Sequence, residues 1–246
     1  MEIRVSPEKT KVFKKTLFNL SKTMDEATLT VNKENIVIET VDPIQSVLAY
    51  IKFRPECFDK LDVEETKEIG VNVGNFKKST QQFGKNEQIV LEEKDEGTLI
   101  VRNGSGSKKY YLSILEMEDR NIPDIKTLEL PNKYRMNSER FKKNLDDAMV
   151  FGENVVYKLT GNSLKVVCES RQNSTDIDLA GAVVETVEEE ETGDSMFNNS
   201  FVRQTLSITR MVDEFDFLIG VDKPFKMIVD EGSVYFVYVV APKVKE

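Results

Sequence analysis

The side chains with which this chain could do chemistry are few and unevenly distributed. Histidine is absent from its 246 residues, which removes Ser/His/Asp triads, Cys/His nucleophile pairs and the common zinc sites together. What remains is two thiols, Cys57 and Cys168, a run of four carboxylates at Glu188 to Glu191, and a doubled lysine signature, FKKTL at 13–17 and FKKNL at 141–145. Both cysteines lie in apolar, strand-like surroundings and read as buried free thiols of a reducing compartment. A metal-dependent nuclease or hydrolase built on the glutamates would need ligands converging from separate segments, whereas four successive carboxylates read as a solvated, self-repelling loop. No GxGxxG, GxxxxGK[ST] or GxSxG string occurs, and GSGSKKYY at 104–111 has the spacing of a hairpin turn. The chain is therefore expected to be no enzyme and to need no cofactor or metal.

The lysines belong to elements with a helical period. From Ser6, an N-cap candidate followed by Pro7, a helix is predicted to about Lys22. At 100° per residue Phe13, Leu17 and Leu20 share one side and Lys11, Lys14, Lys15 and Lys22 the other, with Phe18 standing unexplained among the lysines. Strands are predicted in ATLTV, NIVIET and SVLAYIKF, a helix in NFKKSTQQF (75–83), and strands again in QIVLEE, TLIVRN and KKYYLSIL.

After MEDRNIPDIKTLELP the order repeats. YRMNSERFKKNLDDAM reads as a helix, VVYKLTG and SLKVVCES as a hairpin, TDIDLAGAVVE as one longer strand, FNNSFVRQTLSIT as a helix, and EFDFLIG, FKMIVD and SVYFVYVVAP as closing strands. Phe13, Lys14, Lys15 and Leu17 map onto Phe141, Lys142, Lys143 and Leu145 at an offset of 128. In the second helix an offset of 125 sets Phe76, Thr80 and Phe83 against Phe201, Thr205 and Ile208, and Lys78 and Lys85 against Arg203 and Arg210. An internal duplication is the economical description.

The charge follows the helices. Residues 6–22 carry +4, 75–85 carry +3 and 199–210 carry +2, while 138–149 balance to zero, so the rest of a chain of net charge -9 carries -18. Lysines on one helix keep it wet; basic faces repeated through an acidic chain point to a polyanion. Flexible cations on helix faces suit phosphates rather than base edges, and duplex backbone is the expected ligand.

The start of the first basic helix and four further stretches carry a family likeness: VDPIQSVLAYI at 41–51, IGVNVGNFKK at 69–78, MEDRNIPDI at 117–125 and the terminal VYFVYVVAPKVKE. With them, essentially the whole chain resembles the DNA sliding clamps of the proliferating cell nuclear antigen family, in the archaeal form. The resemblance implies an α+β architecture of two similar clamp domains, with β-sheets outside and four helices lining the hole of a trimeric ring. It implies an N-terminal clamp domain at 1–116, an interdomain connector at 117–131 and a C-terminal clamp domain at 132–246. Lys11, Lys14, Lys15, Lys78, Arg140, Lys143, Arg203 and Arg210 would face DNA.

Subunit contacts would fall on the strand at 107–113, with Tyr110, Tyr111 and Leu112, and on the strand at 175–181, with Ile177 and Leu179. A partner-peptide pocket would draw on Val41, Leu48, Ile122, Pro123, Pro224, Ala241, Pro242 and Val244. The implied partners are DNA polymerase, clamp loader, flap endonuclease and DNA ligase, engaged through clamp-binding peptides, with self-association as a homo- or heterotrimer and no membrane. Arg120 and Asn121 stand where the family often has apolar residues. The alternatives are a checkpoint-type or heterotrimeric clamp subunit and, in another class, the carboxylate nuclease. An intracellular site is expected, at the nucleoid or in a nucleus, since no apolar run suits a membrane span and the N-terminus has no signal core.

Overall fold

The computed structural model describes residues 1–95, 97–117, 122–161 and 163–243. In chain order the first half holds β1 (Glu2–Val5), α1 (Thr10–Leu20), β2 (Glu26–Val31), β3 (Ile36–Val41), β4 (Val47–Phe53), β5 (Phe58–Asp62), β6 (Lys67–Asn72), α2 (Val73–Gln81), β7 (Ile89–Asp95), β8 (Thr98–Asn103) and β9 (Lys109–Ser113). The second half holds β10 (Asn132–Asn137), α3 (Ser138–Ala148), β11 (Asn154–Leu159), β12 (Leu164–Glu169), β13 (Ser174–Asp178), β14 (Val183–Glu189), β15 (Gly193–Asn198), α4 (Asn199–Thr205), β16 (Glu214–Ile219), β17 (Phe225–Asp230) and β18 (Val234–Val240). Strand for strand and helix for helix, the second half repeats the first.

The chain packs as two compact units. The first comprises Met1–Asp42, Ala49–Pro123 and Glu231–Phe236. Its sheets run β5-β1-β7-β8-β9 and β18-β4-β3-β2-β6, the beginning of β18 lying beside β4, with Arg54 N donating to Ser233 O at 2.9 Å. The second comprises Pro43–Leu48, Asp124–Asp230 and Val237–Glu246. Its sheets run β14-β10-β16-β17-β18 and β13-β12-β11-β15. Alternating burial along β2, β8 and β11 puts every second residue into a core.

The helices hold to the sheets through copied apolar faces. Phe13, Leu17 and Leu20 of α1 and Phe141, Leu145 and Ala148 of α3 are all buried, as the offset of 128 requires. Phe13 packs on Phe53 and Phe76, and Phe141 on Phe215 and Phe217. Three helices start on an asparagine whose side chain accepts a backbone N–H of the first turn: Asn72 from Asn75, Asn137 from Arg140, and Asn198 from Ser200. These caps set α2 against α4 at an offset of 126 rather than 125. Val202 is accordingly the buried counterpart of Phe76, and Phe201 is only half-buried.

Other boundaries differ from the sequence expectation. Ser6 does not cap with its side chain; Pro7–Lys9 form a 3-10 turn, and the Ser6 hydroxyl donates to Asp59 Oδ1 at 2.5 Å. YRMN belongs to the strand β10, whose alternating burial shows a period of two that the adjacent helix masks. The single strand expected over TDIDLAGAVVE is two, β13 and β14, folded apart at Leu179–Ala182, where Ala182 N donates to Leu179 O at 2.8 Å. Cys57 ends a 3-10 turn rather than lying in a strand, and β1 and β5, too short and charged to show a period, were not predicted. No described helix is long and apolar enough to cross a membrane.

Candidate nucleic-acid interface

In the first unit α1 and α2 pack together and bring their lysines onto neighbouring surfaces. Lys14 fixes the pair by donating to Phe83 O at 2.6 Å and Gln81 O at 3.4 Å. Burial lowers its pKa, and the nearby Glu87 carboxylate opposes that shift. Lys14 is thus partly spent on structure, while Lys11 and Lys15 are exposed and line with it an open hollow of about 230 Å³, closed by Phe18, Gln81 and Lys85. Phe18 is no misplaced core residue: Lys22 Nζ from the turn after α1 lies 4.8 Å, and Lys77 Nζ of α2 5.9 Å, from the ring centroid. Lys78 is exposed beside a different hollow, with Ser79, Gln82, Tyr110 and Leu112.

The second unit repeats the helices with its cations more committed. Arg140 donates to Gly181 O at 3.0 Å. Arg203 donates to Asn199 Oδ1 at 2.8 Å and to Met149 O. Lys142 is paired with Asp146 one turn along. Lys143 and Arg210 are exposed, but the open hollow they line also receives Glu139, Asp147 and Asp213. The basic character of the first unit is therefore diluted in the second, where Asp146 occupies the position of Phe18.

Among the strands that end a sheet in the described residues are β9 in the first unit and β13 in the second. On β9 Tyr111 is 60% exposed, while Tyr110 is half-buried against Phe83. On β13 Ile177 is half-buried, but Leu179, just beyond the strand, is 0% exposed and belongs to its own unit's core, so it has no apolar surface left to offer. Beside β13 the turn after α3 exposes Val150 and Phe151, and Thr175 Oγ1 donates to Ala148 O at 2.5 Å. Sequence reasoning missed this apolar tip, though two large apolar residues directly before Gly152 were a visible signal.

The acidic run is not a free loop. Glu188 and Glu189 lie in β14 opposite Lys133 and Asn132. Asn132 Oδ1 accepts from the backbone N–H of both Glu190 and Glu191. The Glu191 carboxylate accepts from Lys223 Nζ at 2.6 Å and Val221 N at 2.9 Å, which together lower its pKa. Among the described residues no group of three or more acidic or thiol side chains converges to hold a metal.

Residues 1–122 match the family profile described as proliferating cell nuclear antigen, N-terminal domain. The chain belongs to that family. A DNA polymerase sliding clamp of Thermococcus gammatolerans is 25% identical over 243 residues, covering 96% of either chain. The structure of a PCNA2-PCNA3 complex from Sulfolobus tokodaii superposes with a TM-score of 0.84 at 21% identity, covering 100% of both chains. A PCNA from A. fulgidus, solved with the C-terminal region of FEN-1 bound, superposes with a TM-score of 0.83 at 19% identity, over 100% of this chain and 99% of that one. The α+β architecture is the DNA clamp fold.

Of the pocket residues that family membership suggests, Val41 is buried, Leu48, Ile122, Pro224, Ala241 and Pro242 are half-buried, and Pro123 is exposed. Val244 lies outside the described residues, as do Arg120 and Asn121. The clamp's tail is held by main-chain bonds within the second unit: Ala241 N donates to Ser46 O at 2.8 Å and Lys243 N to Met196 O at 2.7 Å.

Proposed function

We propose that this chain is a DNA sliding clamp, a ring-forming processivity factor with no catalytic chemistry of its own. The observation that carries the reading is a missing strand. In the duplicated order β4 corresponds to β13 and β18 to β9. Within the first unit β18 lies beside β4, yet their counterparts β9 and β13 each end a sheet. A second copy supplying its β9 to this chain's β13 would complete the second unit as β18 completes the first. That contact is head to tail, and such contacts close into rings when the rotation permits. Phe151 beside β13 and the hollow of Lys78, Ser79, Gln82, Tyr110 and Leu112 beside β9 add apolar burial to the same contact. Its domains are then 1–116 and 132–246, joined by the connector at 117–131.

In a closed ring the exposed Lys11, Lys15, Lys78, Lys143 and Arg210 would meet duplex phosphates without reading sequence. Lys14, Arg140 and Arg203 contribute charge from fixed positions. In the second unit Leu48, Pro224 and the tail at Ala241–Pro242 would receive a hydrophobic partner peptide, tethering polymerase, clamp loader, flap endonuclease or ligase by raising effective concentration. The A. fulgidus relative with the C-terminal region of FEN-1 supports that mode.

Size exclusion with light scattering tests the ring: three times the chain mass, with retention on circular but not linearised DNA, is the expected result. A monomer that assembles only with unlike chains would instead make it a heterotrimer subunit, a pairing for which the PCNA2-PCNA3 complex is a precedent among relatives. Retention on circular DNA by neither route overturns the reading.

A further inference from the structure

Phe18 has no part in phosphate contact, yet it stands 42% exposed among cations. Lys22 and Lys77 approach its ring, and Lys11, Lys14, Lys15 and Lys85 surround the hollow that the ring closes. It did not come with the duplication, because its counterpart in α3 is Asp146. It is not needed to seat the helix, since Phe13, Leu17 and Leu20 already fill the core side of α1.

We propose that Phe18 and the lysines around it form a subsite for single-stranded nucleic acid, on which one unpaired base stacks while the lysines hold the flanking phosphates. An exposed aromatic ring within a cationic surface is the combination that single-strand binding uses, because every base offers a π-face and every nucleotide a phosphate. In the free protein the ammonium groups of Lys22 and Lys77 satisfy the electron-rich face of the ring. Both sit on flexible stems, so incoming phosphates draw them outward and uncover the ring for a base. A paired duplex keeps its base faces stacked inward and has none to offer, so the subsite responds to strandedness and not to sequence. It needs only α1 and α2 of one chain and does not depend on the ring reading.

The test uses fluorescence anisotropy of the full chain with a labelled oligothymidylate and with an abasic strand of the same length and charge, at one salt concentration. The protein is expected to bind the thymidylate at least about fivefold more tightly, the factor that stacking of one base supplies. Phe18→Ala and Phe18→Leu should both make the two strands equal, and Phe18→Tyr should keep the preference. The salt dependence should be unchanged in all three variants, because no phosphate contact is removed. Equal binding of both strands by the unaltered protein overturns the proposal, as does a preference that survives Phe18→Leu. Retention on circular DNA is expected to persist in Phe18→Ala, so failure of the subsite and failure of the clamp reading are separately visible.

Discussion

Lys226 donates from a nearly fully buried ammonium group to the carbonyl oxygen of Leu128 at 2.9 Å, and to that of Lys126 at 2.8 Å. A cation from the start of β17 thereby fixes the chain that leads into β10. Burial lowers its pKa, opposed by Asp124 and Glu129. Lys226→Met should leave two carbonyls without their donor and destabilise the second unit by about 1–3 kcal/mol. Urea unfolding checks the value, and faster proteolysis between 124 and 131 checks the place.

The exposed lysines and Arg203, exposed but hydrogen-bonded to its own fold, should separate in DNA binding. Lys15→Ala, Lys78→Ala and Lys143→Ala should each lower the slope of log K against log salt by about one and leave stability within about 0.5 kcal/mol. Arg203→Ala should instead lower the melting temperature, since it removes the donors to Met149 O and Asn199 Oδ1. Salt titrations of duplex binding alongside thermal melts decide the matter.

Assembly should depend on the exposed tip and stability on the buried leucine. Phe151→Asp is expected to reduce native mass toward the monomer while the circular dichroism spectrum stays intact. Leu179→Ala should cost about 2–5 kcal/mol of unfolding free energy, as truncations in a packed core do. Light scattering and chemical denaturation together distinguish the two.

Alkaline pH should weaken the fold through Cys57. Burial pushes its thiol from 9.0 up to about 12. The folded state therefore binds the proton more tightly than the unfolded state does. The contribution is fully present below about pH 9 and is lost as the pH climbs toward 12. The stability difference between the unaltered protein and Cys57→Ala should shrink across that window, and neither Cys57 nor Cys168 should react with a thiol reagent before unfolding.

The acidic run should show no metal chemistry. Glu191 is held by Lys223 and Val221 N, and its depressed pKa adds stability that is present above pH 4.5 and lost as the pH falls below it. Magnesium or manganese at millimolar concentration should leave the melting temperature unchanged and confer no turnover on DNA. Metal-dependent cleavage that disappears in Glu190→Gln and Glu191→Gln would revive the nuclease alternative.

Periodicity and charge are local properties of a chain, and what they govern was legible here. The buried faces of α1 and α3, the offset of 128 between them, the segregation of lysine onto helices and the order of most strands follow from residues within a few turns of one another. The boundaries went astray where two periods abut, as at YRMN before α3, or where a strand is short and charged, as at β5. Tertiary structure alone decided the rest, because it depends on which segments meet. Leu179 turns inward only because the chain folds back at Leu179–Ala182. Arg203 is spent only because Met149 O lies within its reach. Phe18 acquires cations only because α2 brings Lys77 beside it. β9 and β13 end their sheets while long-range pairing gives β4 and β18 to each other, and no window of sequence records which edge is left over.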